Sequence, residues 1–232
     1  MDIQYLQSAP DTSDTNAYTF SSQNLGTAAS DRYIIVVAVA RKAGASTTLS
    51  SISVGGVSAT IVKQATNNVS NTDVAGVAIA AVPTGTTGDI VVTWGATMVR
   101  CAIMAYRATG IDATAYDSDS SLSGNPSVSL DIPANGFAIG GGLTAASTTT
   151  SWTGLTEDAD GTLESFVTYS SASQSFVSAE TGRTITMTFG SSTESVGVFA
   201  SWGPAVSTNP KTLNNFQFIE VGNGMSTSER IK

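Results

Sequence analysis

Apolar and polar residues alternate along most of the chain, and this period of two predicts half-buried β-strands. In residues 90–94, IVVTW, the apolar side chains of Ile90, Val92 and Trp94 share one face. Residues 184–189, TITMTF, place threonines on one face and apolar side chains on the other. Residues 34–40, IIVVAVA, are apolar on both faces, so we expect a central strand covered on both sides. Helical periodicity is hard to find, and the pattern predicts an all-β, antiparallel fold.

The segments with a strand pattern are bounded by turns rich in Gly, Asn, Asp and Ser. They are residues 18–20, 33–40, 51–54, 59–64, 74–82, 89–94, 99–107, 128–132, 137–144, 151–155, 165–170, 175–178, 184–189 and 195–202.

A similar pattern of residues occurs twice. When Ile90 is aligned with Ile185, Trp94 matches Phe189, and the alignment continues without a gap to Ile103 and Val198. The repetition predicts two related β-units, residues 17–110 and 127–206. Chance likeness among strands rich in Val, Thr and Gly is the alternative. If each unit contributes one sheet with one apolar face, the two faces pack together. We therefore expect a two-sheet, jelly-roll-like antiparallel β-sandwich over residues 17–206.

The segments that flank this sandwich have a different character. Residues 1–16 form an acidic and polar N-terminal segment, and residues 207–232 follow two prolines. In the C-terminal segment, Phe216, Phe218 and Val221 have the spacing of one short strand or an assembly arm. We expect this arm, and in second place residues 1–16, to anchor the protein on a neighbouring molecule. A frayed terminus is the alternative for the last ten residues.

The charge and composition disfavour several classes of protein. The net charge is −8, with only ten Lys and Arg in 232 residues and no basic cluster. We therefore expect no binding to nucleic acid or to anionic membranes, which need clustered cations. The sequence lacks the pattern of a secretory signal and any apolar run of about 20 residues, so we expect synthesis in a cytoplasm. Cys101, the single cysteine, lies in an apolar run and is predicted to be buried.

The chain contains no histidine. Catalysis by Ser-His-Asp or Cys-His groups and metal binding by histidine are therefore excluded. The glycine-rich residues 140–147, GGGLTAAS, lack the lysine of a phosphate-binding loop and lie within a strand pattern. We expect no cofactor and no enzyme activity. A hydrolase on a sandwich scaffold is the remaining enzymatic alternative, and it requires two carboxylates that converge in a cleft.

Acidic residues form one weak candidate metal site. Glu157, Asp158 and Asp160 precede Gly161, and closely spaced carboxylates are potential calcium ligands. The spacing of an EF-hand is absent, and an exposed Asp-Gly hairpin turn is the favoured interpretation. A second acidic segment, residues 117–121, is expected to be a solvated turn between the two units.

Aromatic residues are the candidates for ligand binding. Trp152 is flanked by polar residues, and an exposed aromatic ring there would stack on a sugar. Tyr116 and Tyr169 have similar surroundings. Trp94 and Trp202 lie in strand patterns and are expected in the core.

Two stretches resemble virion structural proteins of tailed bacteriophages. They are DRYIIVVAVARKAGASTTLSSISVGGVSATIVKQA, residues 31–65, and TGTTGDIVVTWGATMVRCAIMAYRATGID, residues 84–112. The resemblance implies a β-sandwich on the outside of a particle, as a capsid decoration or head-spike protein, with a tail or fibre component as the next possibility. It also implies contacts with other virion proteins, a homo-oligomer such as a trimer, and release from the host cytoplasm by lysis.

The alternative function is a carbohydrate-binding module. It would recognise host glycans through Trp152 and its acidic neighbours, without a protein partner. The two functions are compatible, because receptor binding is also a task of virions.

Overall fold

The computed structural model describes residues 1–164, 166–192 and 194–205, and these residues form β-strands and no helix. The strands are β1 (Asp2–Asp11), β2 (Thr15–Asn24), β3 (Tyr33–Ala43), β4 (Leu49–Val54), β5 (Val57–Ser58), β6 (Thr60–Asn68), β7 (Asn71–Ala81), β8 (Thr87–Met98), β9 (Arg100–Thr109), β10 (Asp117–Ser121), β11 (Ser127–Ile132), β12 (Phe137–Thr144), β13 (Thr150–Thr153), β14 (Thr156–Thr162), β15 (Thr168–Ser175), β16 (Glu180–Phe189) and β17 (Ser195–Trp202).

The strands form four sheets. In the first half of the chain, residues 2–109, the inner sheet has the order β1-β9-β3-β7-β6 and the outer sheet the order β2-β8-β4-β5. In the second half, residues 117–202, the inner sheet has the order β10-β17-β12-β15-β14 and the outer sheet the order β11-β16-β13. Apart from the two-residue β5, the second half repeats the strand order of the first.

Three apolar cores separate the four sheets. The first core lies between the outer and inner sheets of the first half and contains Ile34 and Val36. The middle core lies between the two inner sheets and contains Ile35 and Val37 from the same strand. The third core lies within the second half. β3 is therefore central and covered on both sides, as its sequence predicts.

The all-β sandwich prediction is confirmed, but the number of sheets differs. We expected one sheet in each unit, whereas each half contains two sheets and a core of its own. The difference arises because β8 pairs with β2 and β4, and β16 pairs with β11 and β13, instead of joining the inner sheets. The jelly-roll description stays a prediction.

The ungapped alignment of the two halves holds in one pair of strands and fails in the next. In β8 and β16, Ile90 and Ile185 both face the core within their own half. In β9 and β17, Ile103 faces the first core whereas Val198 faces the middle core. Because neighbouring residues of a strand point to opposite faces, a shift of one residue is needed between these strands.

The inner sheets pack face to face with an approximate two-fold relationship. β1 lies against β14, and β10 lies against β6. β1 and β10 hold equivalent places in their sheets, and so do β6 and β14. Each of the two contacts therefore pairs one edge strand of one half with the opposite edge strand of the other half. We call the contact of β1 with β14 the first seam and the contact of β10 with β6 the second seam. This is the geometry of an isologous dimer fused into one chain.

The structure corrects the expectations for residues 1–16 and for residues 117–121. Residues 2–11 form β1, which pairs with β9 along its whole length, and so they are not a free anchoring segment. The acidic residues 117–121 form β10 rather than a turn, because they pair with β17. Phe216, Phe218 and Val221 lie outside the described residues.

Candidate functional site

The first seam is filled by aromatic and polar side chains. The rings of Tyr5 and Tyr106 meet edge to face, with centroids 5.5 Å apart. The Tyr106 hydroxyl lies within hydrogen-bonding distance of Asp158 Oδ2, at 3.1 Å, and of Ser171 Oγ, at 2.7 Å, and it can donate its one proton to either. Burial raises the pKa of Asp158, against the lowering effect of hydrogen bonds from Ser173 and Tyr106. The seam therefore contains a carboxyl group that is satisfied by its neighbours and is not presented to a ligand.

The second seam is built from the equivalent strands, with different side chains and a closer approach of the two inner sheets. β6 has a bulge at Val62, between Ile61 and Lys63, where β14 has a bulge at Asp158. Tyr5 of β1 pairs with Tyr106 of β9, and at the equivalent positions Ser118 of β10 pairs with Ala200 of β17. Two aromatic rings are thus replaced by small side chains.

A cavity of about 380 Å³ lies at the second seam. It is lined by Thr60, Val62, Ile79, Ala113, Thr114, Ala115 and Ser118. Its walls come from the inner sheets of both halves and from the connection between them. We call it the seam cavity.

A second cavity, of about 410 Å³, adjoins the seam cavity through Thr114 and Ala115. It is lined by Asp112, Thr114, Ala115, Tyr116, Pro133, Gly203 and Pro204, and we call it the Tyr116 cavity. Tyr116 is 61% exposed. An exposed ring beside a carboxylate is suited to stack on a ligand and to accept a hydrogen bond from it.

A buried group of charges joins the two halves at the other end of the inner sheets. Arg41 Nη1 lies 2.9 Å from both carboxylate oxygens of Asp73, and its Nη2 lies 3.5 Å from Glu194 Oε2. Glu194 also accepts a hydrogen bond from the Ser70 amide at 2.6 Å. Burial raises the pKa of Asp73 to about 7, although Arg41 opposes the shift. These groups satisfy one another, so the cluster is a link between the halves. Arg41, Asp73 and Glu194 are far apart in the sequence, so the sequence alone did not predict this cluster.

The three candidate calcium ligands do not form a site. Glu157, Asp158 and Asp160 lie on β14 rather than in a hairpin turn, because the strand pairs with β15. Asp158 points into the first seam, whereas Asp160 Oδ1 accepts a hydrogen bond from Thr150. In the described residues, no group of three or more Asp, Glu, Cys or His side chains is arranged to hold a metal ion.

Trp152 is not an exposed platform. Its indole N–H donates to Ser170 Oγ at 2.8 Å, and its half-buried ring meets Phe199 edge to face at 6.2 Å. Tyr169 is buried too, which contradicts the expectation of exposure.

Other predictions of burial are confirmed. Trp94, Trp202 and Cys101 all lie in the core. Of the aromatic ligand candidates, Tyr116 is the one that lies at a cavity and is exposed. Period-two alternation in residues 151–153 was the signal that Trp152 points inward, between two exposed hydroxyl residues.

The chain matches no family model, no curated protein and no solved structure. Within the described residues, no helix is long and apolar enough to cross a membrane.

Proposed function

We propose that the protein is a non-enzymatic structural protein of a bacteriophage virion. It serves as a capsid decoration or head-spike protein, present in many copies on the outer surface, and a tail or fibre component is the nearest variant of this role.

The observation that carries the proposal is the hydroxyl-rich outer face of the second half. Ser129 and Thr184 are exposed and lie opposite each other on neighbouring strands. Beside them, the Ser127 and Thr186 hydroxyls are 2.7 Å apart. Hydroxyl groups interact with water and with neighbouring proteins without adding charge. Copies that carry such faces pack closely with little mutual repulsion, which suits a crowded particle surface.

The architecture gives a second line of support. Each half divides its main strands between an inner sheet of five and an outer sheet of three or four. This division is compatible with the predicted jelly roll, an architecture that viral capsid domains and lectins use. Fold alone does not define function, so the proposal depends on where the protein is found.

Immunogold labelling tests the proposal. Antibodies raised against the purified chain are applied to intact particles of the phage whose genome encodes it. We expect gold on the outside of the particle, in many copies, and no gold on particles of an unrelated phage. Particles that neither bind the antibody nor contain the chain by mass spectrometry would overturn the proposal.

Carbohydrate binding is the second candidate function, and the Tyr116 cavity is the observation that favours it. The exposed ring of Tyr116 and the carboxylate of Asp112 are the groups that a sugar would meet. A glycan panel screened with the intact chain identifies any ligand. We expect Tyr116→Ala to lose binding and Trp152→Phe to keep it. Equal binding by both variants, or none by the intact chain, removes this candidate.

A further inference from the structure

Two arginine side chains of this protein each lie over a phenylalanine ring and pair with a nearby glutamate. The guanidinium carbon lies 5.1 Å from the ring centre in one case and 4.7 Å in the other. The groups are Arg100, Phe166 and Glu164 in the first case and Arg183, Phe176 and Glu180 in the second. The chain therefore uses one arrangement twice, in which an aromatic face and a carboxylate together hold a guanidinium group.

Tyr116 and Asp112 provide the same two kinds of group without a cation. Both line the Tyr116 cavity, and the Tyr116 ring is exposed. In the part of the chain that the structure describes, no Lys or Arg lines this cavity or the adjoining seam cavity. The cavity therefore has the recognition groups, and the space, for a cation that comes from another molecule.

We propose that the Tyr116 cavity is the docking site for an arginine or lysine side chain of a different, basic partner protein. The cation lies against the Tyr116 ring and pairs with Asp112. Ala115, Pro133 and Pro204 form apolar walls that suit the aliphatic stem of such a side chain. The inference rests on the proposed structural role for a protein as the partner, and it differs from the carbohydrate candidate, which assigns a sugar to the same cavity.

The connection that carries both recognition groups is fixed to its surroundings by hydrogen bonds. The Asp112 amide donates to the Gly203 carbonyl at 3.0 Å, and the Tyr116 amide donates to the Ser201 carbonyl at 2.8 Å. Asp112 Oδ1 accepts from the Thr114 amide at 2.8 Å, and Asp112 Oδ2 has no hydrogen-bond partner among the described residues. The site is therefore ordered before a ligand binds, which lowers the entropic cost of docking.

The charge around the cavity favours a basic partner. Asp117 follows Tyr116 in the chain, and its Oδ2 accepts a hydrogen bond from the amide of Asp131, which is exposed. The net charge of the whole chain is −8. A surface of one sign attracts a partner of the opposite sign and raises the rate of their encounter.

A second copy of the chain is a poor source of the cation. Two copies repel each other through their net charge. Every Lys and Arg in the described residues is also bonded within its own chain: Arg32 to backbone carbonyls, Arg41 to Asp73 and Glu194, Lys42 to the carbonyl of Ala45, Lys63 to Asp119, Arg100 to Glu164, Arg107 to Asp2 and Arg183 to Glu180.

An NMR titration of the isotope-labelled, full-length chain tests the proposal. The probe is a capped Gly-Arg-Gly-Arg-Gly peptide, and the control peptide carries citrulline in place of arginine, which keeps the shape and removes the charge. Asp112→Asn removes the charge of the site but keeps an oxygen for the Thr114 amide. Tyr116→Leu removes the aromatic face. Asp14→Asn is the matched control, because it changes the net charge equally at an exposed position in the connection between β1 and β2.

We expect saturable shifts of the amides of residues 112–116 with the arginine peptide and none with the citrulline peptide. Asp112→Asn and Tyr116→Leu should each weaken binding by about 2- to 5-fold, the range for an exposed ion pair or cation–π contact. Asp14→Asn should leave the affinity unchanged.

Equal binding of the two peptides, or equal weakening by Asp112→Asn and Asp14→Asn, would overturn the proposal, because the attraction would not be local to the cavity. Displacement of the peptide by a glycan would overturn it in favour of a sugar. The same shifts on raising the protein concentration alone would overturn it in favour of a second copy. The titration uses no phage particle, so a failure of the docking site is distinguishable from a failure of the virion role, which immunogold labelling tests.

Discussion

Val62 and Asp158 are the extra residues of two equivalent β-bulges, one in each half of the chain. Asp158 reaches Tyr106 across the first seam, and Val62 lines the cavity of the second. The strand order is the same at the two seams, but the side chains have diverged and the inner sheets lie closer together at the second seam. Polar contacts join the halves at both, through Tyr106 and Asp158 at the first seam and through Lys63 and Asp119 at the second.

Arg32 organises the turn before β8. It is buried, and its guanidinium donates five hydrogen bonds to the carbonyls of Leu25, Gly26, Val82, Thr84 and Gly85. In the second half the corresponding turn, residues 176–179, is held by backbone hydrogen bonds from the Phe176 amide to the Gly136 carbonyl and from the Asn135 amide to the Val177 carbonyl.

We predict that Arg32→Lys destabilises the protein by about 2–5 kcal/mol. An ammonium group has three donors, so at least two buried carbonyls lose their partner, and each loss costs about 1–3 kcal/mol. Urea denaturation measures the change in the free energy of unfolding. Arg183→Lys is the control, because Arg183 is half-buried and bonds to a single carbonyl, that of Gly154. A similar loss in both variants would show that the five hydrogen bonds of Arg32 add little.

Asp73 gives the protein a pH-dependent stability. Burial raises its pKa from 3.8 to about 7, so the folded state holds a proton that the unfolded state releases. Arg41, Glu194 and Arg100 are the charged groups that act on it. The stability from this group is fully present below about pH 4 and is lost as the pH rises through about 7.

We predict that Asp73→Asn removes this loss of stability with rising pH. Between pH 4 and pH 8, the free energy of unfolding of the variant should rise relative to that of the wild type by on the order of 4 kcal/mol. Denaturation curves across this range provide the measurement, and Asp14→Asn, at an exposed position, is the matched substitution. A constant difference between Asp73→Asn and the wild type would mean that Arg41 keeps Asp73 ionised throughout.

The strands that alternate apolar and polar residues were predictable, and the polar edge strands were not. β3, β8 and β16 carry their own pattern, because one or both faces are buried in a core. β10 and β14 are polar and acidic, and they are strands because a neighbour supplies hydrogen-bond partners. Edge strands of this kind have little hydrophobic signature in the sequence.

The candidate site was even less accessible from sequence. The seam cavity depends on which faces of two inner sheets meet, and a single bulge decides whether Val62 or a neighbour points into it. Neither property is local in the chain. Tyr116 was recognisable as an exposed aromatic residue, whereas its position beside a cavity follows only from the packing of residues 112–116 against Pro133 and Pro204.

Gly142 of β12 lies unusually close to the backbone of β17, its neighbour in the same inner sheet. A Cβ atom added to Gly142 would clash with the carbonyl oxygen of Val196, which belongs to the backbone of β17. A backbone atom in a central strand has little freedom to move. Gly95 differs, since the nearest neighbour of a Cβ atom added there is the rotatable Thr47 hydroxyl, at 2.9 Å.

We predict that Gly142→Ala destabilises the protein by at least about 1–3 kcal/mol, the usual cost of an overpacked core. Gly95→Ala should have a smaller effect because the threonine side chain can rotate away. Thermal denaturation of both variants measures the difference. If Gly142→Ala were as stable as the wild type, the close approach of β12 and β17 would be wrong.

Trp152 and Tyr116 differ in what their polar groups contribute to stability, because Trp152 is half-buried and Tyr116 is exposed. Trp152→Phe keeps a ring against Phe199 but removes the donor to Ser170, and we predict a loss of about 0.5–1.5 kcal/mol in the free energy of unfolding, the net value of one hydrogen bond. Tyr116→Phe keeps the ring and removes a hydroxyl from an exposed side chain, so the free energy of unfolding should change by less than about 0.5 kcal/mol. Urea denaturation of the two variants provides the comparison. Equal stability of both would mean that the indole of Trp152 is solvated rather than bonded to Ser170, and the ring would again be a candidate for stacking on a sugar.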